Sequence, residues 1–248
     1  MPTANTAAVS STFLIDPNAL WHALTGLTPP LVIDAWVADD LAMMPARLPT
    51  AITQSGLAVA NWQAQPAGLP IVVYCQKGLK ISQGAAAWLR ANRADARVLG
   101  GGIEGWQAAG LPLLGTDAPP PHPTAWITAL TPTLQSTVAA WMLRRFVDRN
   151  ARVLAVEPSQ IALVADRFGA LPLPPPPAVL ALLAPVPPVL GSLIDEFMAS
   201  DAQVGRIFAG LRALHPTWEG YLSAAMPVLD ALTASVAAGP SPAPAGSR

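Results

Sequence analysis

Apolar runs and polar breaks divide the chain into short elements before composition is considered. In the first half, Thr12 to Ile15 predicts a strand. Asp16 and Pro17 then offer an N-cap and an N1 proline, which predicts a helix through Leu24 closed by Gly26. Leu31 to Ala35 and Ile71 to Tyr74 are compact apolar runs of the kind that fill buried parallel strands. Ser82 to Asn92 reads as a helix, Arg97 to Leu99 as a strand and Ile103 to Ala109 as a short helix. Strands alternating with helices predict an α/β fold with a central parallel sheet flanked by helices.

The pattern changes after residue 117. Residues 118–123 hold four prolines and no apolar periodicity, and read as a semi-rigid linker. Beyond it, Trp126 to Thr128 and Arg152 to Val156 are strand candidates. Leu134 to Arg149, Ser159 to Phe168, Ala202 to Leu214 and Trp218 to Ala238 have helical spacing. A mainly helical α+β second domain over 124–238 is therefore expected after a first domain over 1–117. The stretch 171–190 is a proline-rich insert within the second, and 239–248 is a flexible tail. The stripes Val138, Met142, Phe146 and Phe208, Leu211, Leu214 predict helix core, and Trp218 and Tyr221 core packing.

Composition changes this picture in two ways. Only 12% of the 248 residues are charged, against about a quarter in ordinary soluble domains, and mean hydropathy is +0.40. That raises the question of a membrane. The longest charge-free stretch, Phe168 to Ile194, is long enough to span one but carries eight prolines. Each removes a backbone donor, and unsatisfied backbone is too costly in hydrocarbon. The stretch is expected to be a surface segment of polyproline character with short apolar anchors. No membrane partner and a cytoplasmic location are expected, the lone thiol suiting a reducing compartment. One cysteine and three scattered histidines leave no zinc cluster to build, so no metal is assigned.

The second change concerns where charge is found. The two lysines of the protein are Lys77 and Lys80, both just after its single cysteine, Cys75. Cys75 follows the Ile71 to Tyr74 strand and precedes Gln76, Lys77, Gly78, Leu79, Lys80 and Ile81, which lead into a helix. Ligands in open α/β sheets sit beyond the carboxyl ends of strands. A glycine-containing loop there offers backbone N–H groups and a helix N-terminus, a field that stabilises an anion or a thiolate. The competing reading is an inert, buried cysteine that ends a core strand.

The run from Ile71 to Arg90 resembles the active-site strand, loop and helix of rhodanese domains. Val98 to Pro112, with Gly101, Gly102 and Trp106, resembles that family's closing Gly-Gly-x-x-x-Trp signature, and Leu31 to Asp34 its Leu-Ile-Asp strand. The resemblance spans about residues 12 to 115. It implies a catalytic Cys75 carrying a persulfide sulfur, held by the loop from Gln76 to Ile81, with Asp34 supporting and no separate cofactor. The implied partners are a small anionic sulfur donor such as thiosulfate and a thiol or cyanide acceptor. Departures are visible: Lys80 and Gln76 stand where arginine is common, and lysine lacks the bidentate fork. A cysteine phosphatase would have arginine six positions after the nucleophile, where Ile81 stands.

Trp126 to Thr128, Ala139 to Leu154 and Leu163 to Leu171 resemble the C-terminal domain of chromate-resistance regulators of the ChrB type. That family's Cys-Pro pair is Ala139-Ala140 here, and its later His- and Cys-containing segment falls on the proline run. Arg144 and Arg145 are candidate anion or nucleic-acid contacts, against the plainer reading that they pair with carboxylates. Eight basic residues balance eight acidic ones after residue 123, too little excess charge for strong DNA binding. Two functions are thus expected to compete: a sulfurtransferase, and a non-enzymatic redox- or oxyanion-responsive regulator. A homodimer is left open.

Overall fold

The computed structural model describes residues 13–37, 46–62, 68–115, 118–119, 124–198 and 202–238. The tail 239–248, residues 120–123 of the expected linker and Thr12 lie outside them.

The first half is an α/β layer. Strand β1 (Leu14–Ile15) leads through Asp16 into helix α1 (Pro17–Leu24). The Asp16 carboxylate accepts the N–H groups of Asn18 and Ala19 at 2.8 and 3.3 Å, as an N-cap should. The helix ends on Thr25 in ordinary right-handed geometry, so Gly26 does not supply a left-handed stop. Strands β2 (Leu31–Asp34), β3 (Ile52–Thr53), β4 (Ile71–Tyr74) and β5 (Ala96–Leu99) complete a five-stranded sheet. Its order is β1-β5-β4-β2-β3, and every pairing is parallel. Residues of β2 and β4 are buried throughout, which is why these strands, Asp34 apart, are apolar without alternation.

Helices cover both faces. Val32, Val72, Tyr74 and Leu99 pack with Leu20 and Leu24 of α1 and with Ile103 and Trp106. On the other face, Ile33, Val73 and Val98 meet Ala85, Ala86 and Leu89 of helix α2 (Lys80–Ala91). Ile103 and Trp106 belong to helix α3 (Gly102–Ala108), and the Trp106 indole N–H donates to Pro112 O at 2.8 Å. Strand β6 (Leu113–Leu114) follows.

The second half is mainly helical around a small sheet. Strands β7 (Ala125–Ala129), β8 (Arg152–Val156) and β9 (Leu171–Pro172) form a parallel sheet of order β8-β7-β9. Helix α4 (Leu134–Met142) opens with a capping box between Thr133 and Ser136. The predicted helix from Leu134 to Arg149 does not run through in α geometry. It widens to a π turn over Leu143–Val147, where Asp148 N donates back to Leu143 O at 2.8 Å. Then come α5 (Ile161–Phe168), α6 (Pro176–Leu180), strand β10 (Leu183–Ala184), α7 (Pro188–Met198), α8 (Ala202–Leu214) and α9 (Trp218–Ala238). Of the predicted core stripes, Val138, Met142, Phe146 and Phe208 are buried, as are Trp218 and Tyr221, whereas Leu214 is exposed. No helix among the described residues is long and apolar enough to cross a membrane.

The expected surface segment over Phe168 to Ile194 is corrected in its conformation: instead of polyproline it forms α6, β10 and the start of α7. Most of residues 171–189 are exposed or half-buried, and the apolar anchors Val179, Leu183, Leu190, Leu193 and Ile194 enter the largest hydrophobic core among the described residues. Four of the eight prolines fall where their missing N–H costs nothing. Pro176 and Pro177 occupy the first turn of α6, Pro188 starts α7, and Pro172 lies on an edge strand.

The halves are joined by more than the chain. Leu113 and Leu114 of β6 pair antiparallel with Ala184 and Leu183 of β10. Leu114 and Ala118 enter the second-half core, and Trp21 of α1 stacks at 5.9 Å on Phe146. Arg47 donates to Pro119 O, so the described start of the linker is anchored.

Candidate active site

Cys75 is the first residue after β4, with 9% of its surface exposed. Its Sγ lies 3.2 Å from Ser82 Oγ, in the first turn of α2. Ser82 Oγ is also 3.2 Å from Leu79 O. One hydroxyl carries one proton, so the two contacts define two states. With a thiol at Cys75, the hydroxyl donates to Leu79 O and accepts from sulfur. With a thiolate, it turns and donates to sulfur.

The loop between is shaped by the turn that starts α3. Ile103 N donates to Cys75 O and Glu104 N to Gln76 O, each at 3.1 Å. A planar trans peptide points its C=O and N–H in opposite directions. The N–H groups of Gln76 and Lys77 are thereby aimed away from α3. Among the described residues, no N–H group from Gln76 to Ser82 donates to a protein acceptor, and the N-cap, Leu79, offers none. Unpaired donors at a helix N-terminus form an anion site.

Two glycines make the close approach feasible. Gly78 has φ +68° and Gly102 φ +60°, both in the left-handed region. A Cβ on Gly102 would overlap the carbonyl oxygen of Cys75, and one on Gly78 would overlap that of Leu99. Lys77, Leu79 and Lys80 are exposed, Gln76 and Ile81 are half-buried, and Gly78 is buried. The structure thus gathers Cys75 and its predicted loop into one constellation. It adds Ser82, which the sequence reading did not single out, and brings Gly102 of the closing signature against the loop.

Asp34 is placed elsewhere. It pairs in register with Tyr74, two residues after Val32 on the sheet face that packs on α1 and α3. The sulfur of Cys75 instead meets α2, which covers the opposite face. Asp34 is buried with Oδ1 unpartnered among the described residues. Burial pushes its carboxyl up to about 8, overriding the Tyr74 hydroxyl and the Arg47 charge, which favour ionisation. Burial pulls Arg47 below the usual guanidinium range and raises Tyr74 well above the usual phenol range.

Arg144 and Arg145 lie far along the chain, against the opposite end of the sheet. Arg145 takes the plainer reading: its Nε donates to Asp230 Oδ1 at 2.8 Å and its Nη2 to Oδ2. The indole N–H of Trp141 shares Oδ1 at 2.8 Å. Arg144 makes no such pair, and its Nε donates to Ala151 O at 3.1 Å.

With this geometry in view, the comparisons with known proteins can be placed on it. Residues 44–109 match the rhodanese-like domain. The matched residues include β3, β4, the Cys75 loop, α2, β5 and α3. Among curated proteins no match is found. Solved structures are similar to parts of the chain, among them the following. A rhodanese-related protein from Thermoplasma volcanium is 19% identical, covering 40% of this chain and 94% of its own, with TM-score 0.35. A rhodanese-like domain protein from Staphylococcus aureus is 22% identical over 38% of this chain and 89% of its own, with TM-score 0.34. The 3-mercaptopyruvate sulfurtransferase of Leishmania major is 16% identical over 62% of this chain and 56% of its own, with TM-score 0.34.

Proposed function

We propose that the protein is a rhodanese-type sulfurtransferase in which Cys75 carries the transferred sulfur. The observation that supports this most is the set of unpartnered N–H groups from Gln76 to Ser82 around a cysteine at a strand end. The Cys75 thiol first releases its proton to solvent. The thiolate attacks the outer sulfur of a donor such as thiosulfate, the S–S bond breaks, and sulfite leaves with the electron pair. The sulfur on Cys75 is then attacked by cyanide or a thiolate, and the Cys75 thiolate leaves as it formed. The loop donors, Ser82 Oγ and the exposed Lys77 and Lys80 stabilise the negative charge at each stage. Asp34, on the other face of the sheet, supports the scaffold rather than the sulfur.

The alternative, a redox- or oxyanion-responsive regulator, rests on the sequence pattern of the second half alone, and the comparisons lend no support to a chromate-resistance-type domain there. The match to the rhodanese-like domain ends at residue 109 and does not bear on it. Thiosulfate-to-cyanide transfer separates the readings. Wild-type protein should form thiocyanate, and Cys75→Ala should fall to the uncatalysed background. Wild-type turnover equal to that of the variant would reject the enzyme reading.

A further inference from the structure

Arg144, Arg145 and Arg149 line a single small cavity with Pro29, Pro30, Thr50 and Met226. Its volume is about 100 Å³, the space of roughly three waters. The cavity sits on the seam between the halves. Pro30 immediately precedes β2 and Thr50 lies just before β3, so it faces the N-terminal edge of the parallel sheet. Cys75 is at the other edge.

Each guanidinium is held by a partner that leaves donors over. Arg149 Nη1 donates to Pro30 O at 2.9 Å, across the seam. Arg144 uses Nε on Ala151 O, and Arg145 uses Nε and Nη2 on Asp230. Both Nη groups of Arg144, and Nε and Nη2 of Arg149, have no protein acceptor among the described residues. Asp230 pairs directly with Arg145, while the carboxylates of Asp148 and Glu219 act on Arg144 without a hydrogen bond to it. Burial pulls Arg144 and Arg149 below the usual guanidinium range, and the charge of Arg145 lowers Arg149 further. The three side chains are half-buried and side by side, so like charges face one another and an anion between them would relieve the repulsion.

The backbone around the cavity is itself unusual. The π turn over Leu143–Val147 carries Arg144 and Arg145 into the seam, and π turns recur at functional sites. Thr50 holds φ +59°, a conformation costly for a residue with a Cβ. We propose that Arg144, Arg145 and Arg149 form a binding site for a tetrahedral oxyanion, phosphate or sulfate, free or carried as the terminal group of a small metabolite. Planar forks with spare N–H pairs suit such oxygens, and the volume suits one such group. The site is independent of sulfur chemistry at Cys75.

Calorimetric titration of the full chain with sodium phosphate and sodium sulfate, against chloride at matched low ionic strength, tests this. Wild-type protein should bind at least one of the two saturably. Arg149→Gln and Arg144→Gln should each weaken that binding at least tenfold while the circular dichroism spectrum is retained. Should either glutamine variant fail to fold, Arg149→Lys keeps the charge, loses the fork, and should still weaken binding several-fold. Glycerol phosphate in place of inorganic phosphate distinguishes the sources: tighter binding of either one supports the site and names its form. No saturable heat with either anion, or wild-type affinity in the arginine variants, would overturn the proposal.

Discussion

Two regions of this molecule gather positive character by different means. At the carboxyl edge of the parallel sheet, the Cys75 loop does so with backbone: unpartnered N–H groups, a helix N-terminus, and lysines left in solvent. At the amino edge, the seam does so with half-buried guanidiniums, one tied to Asp230 and two tied to carbonyls. Backbone dipoles are fixed by the fold and carry no net charge to desolvate, so they leave a nucleophile accessible and the scaffold undisturbed. Buried charges must be matched, and their removal is felt throughout the core.

The contrast predicts where mutations hurt. Asp230→Ala should have the largest effect on stability. It strips the carboxylate from Arg145 and the acceptor from Trp141, at a cost of about 3–5 kcal/mol measured by urea unfolding. Gly102→Ala should come next, at about 2–3 kcal/mol, because a Cβ there meets the Cys75 carbonyl and the backbone must move. Its mark is a loss of sulfur transfer larger than the lost stability explains. If Asp230→Ala cost less than Gly102→Ala, the seam would not depend on buried charge as argued.

A pH-dependent effect is expected at Asp34, the last residue of β2. Its folded carboxyl is pushed from 3.8 to about 8, so the folded state keeps a proton that the unfolded chain has released. Stability should therefore fall as pH rises from about 4 to about 8 and level off above, with a slope of up to ~1.4 kcal/mol per pH unit. Asp34→Asn should flatten that slope, gaining on wild type towards pH 8. An unchanged slope in the variant would remove Asp34 from the account. The smallest effect is expected at Ser82. Without its hydroxyl the thiolate loses one hydrogen bond, and alkylation of Cys75 by iodoacetamide at neutral pH should slow about tenfold.

These regions also differ in how far they could be read from residues alone. The sheet was legible because β2 and β4 are buried on both faces and so are apolar at every position but Asp34. The Cys75 loop stood out because a chain poor in charge places both lysines beside its single thiol. Ser82 was hidden, since a serine near a helix start reads as a cap. The conformation of the proline-rich segment was misread because proline signals exclusion from helix interiors, while here it also marks helix starts and an edge strand. Between the prolines, Val179, Leu183 and Leu190 supply core contacts that no regular period announces. The arginine cavity was half visible: Arg144 and Arg145 are adjacent, but Arg149 joins them only through the π turn and a partner carbonyl on Pro30.

The central claim is that Cys75 holds sulfur. Intact-protein mass spectrometry after incubation with thiosulfate and removal of excess donor tests it most directly. The account predicts a mass gain of one sulfur atom that maps to the Cys75 peptide, is removed by cyanide, and is absent from Cys75→Ala. A Cys75 that stays a free thiol under these conditions, with wild-type turnover no higher than that of the variant, would contradict it.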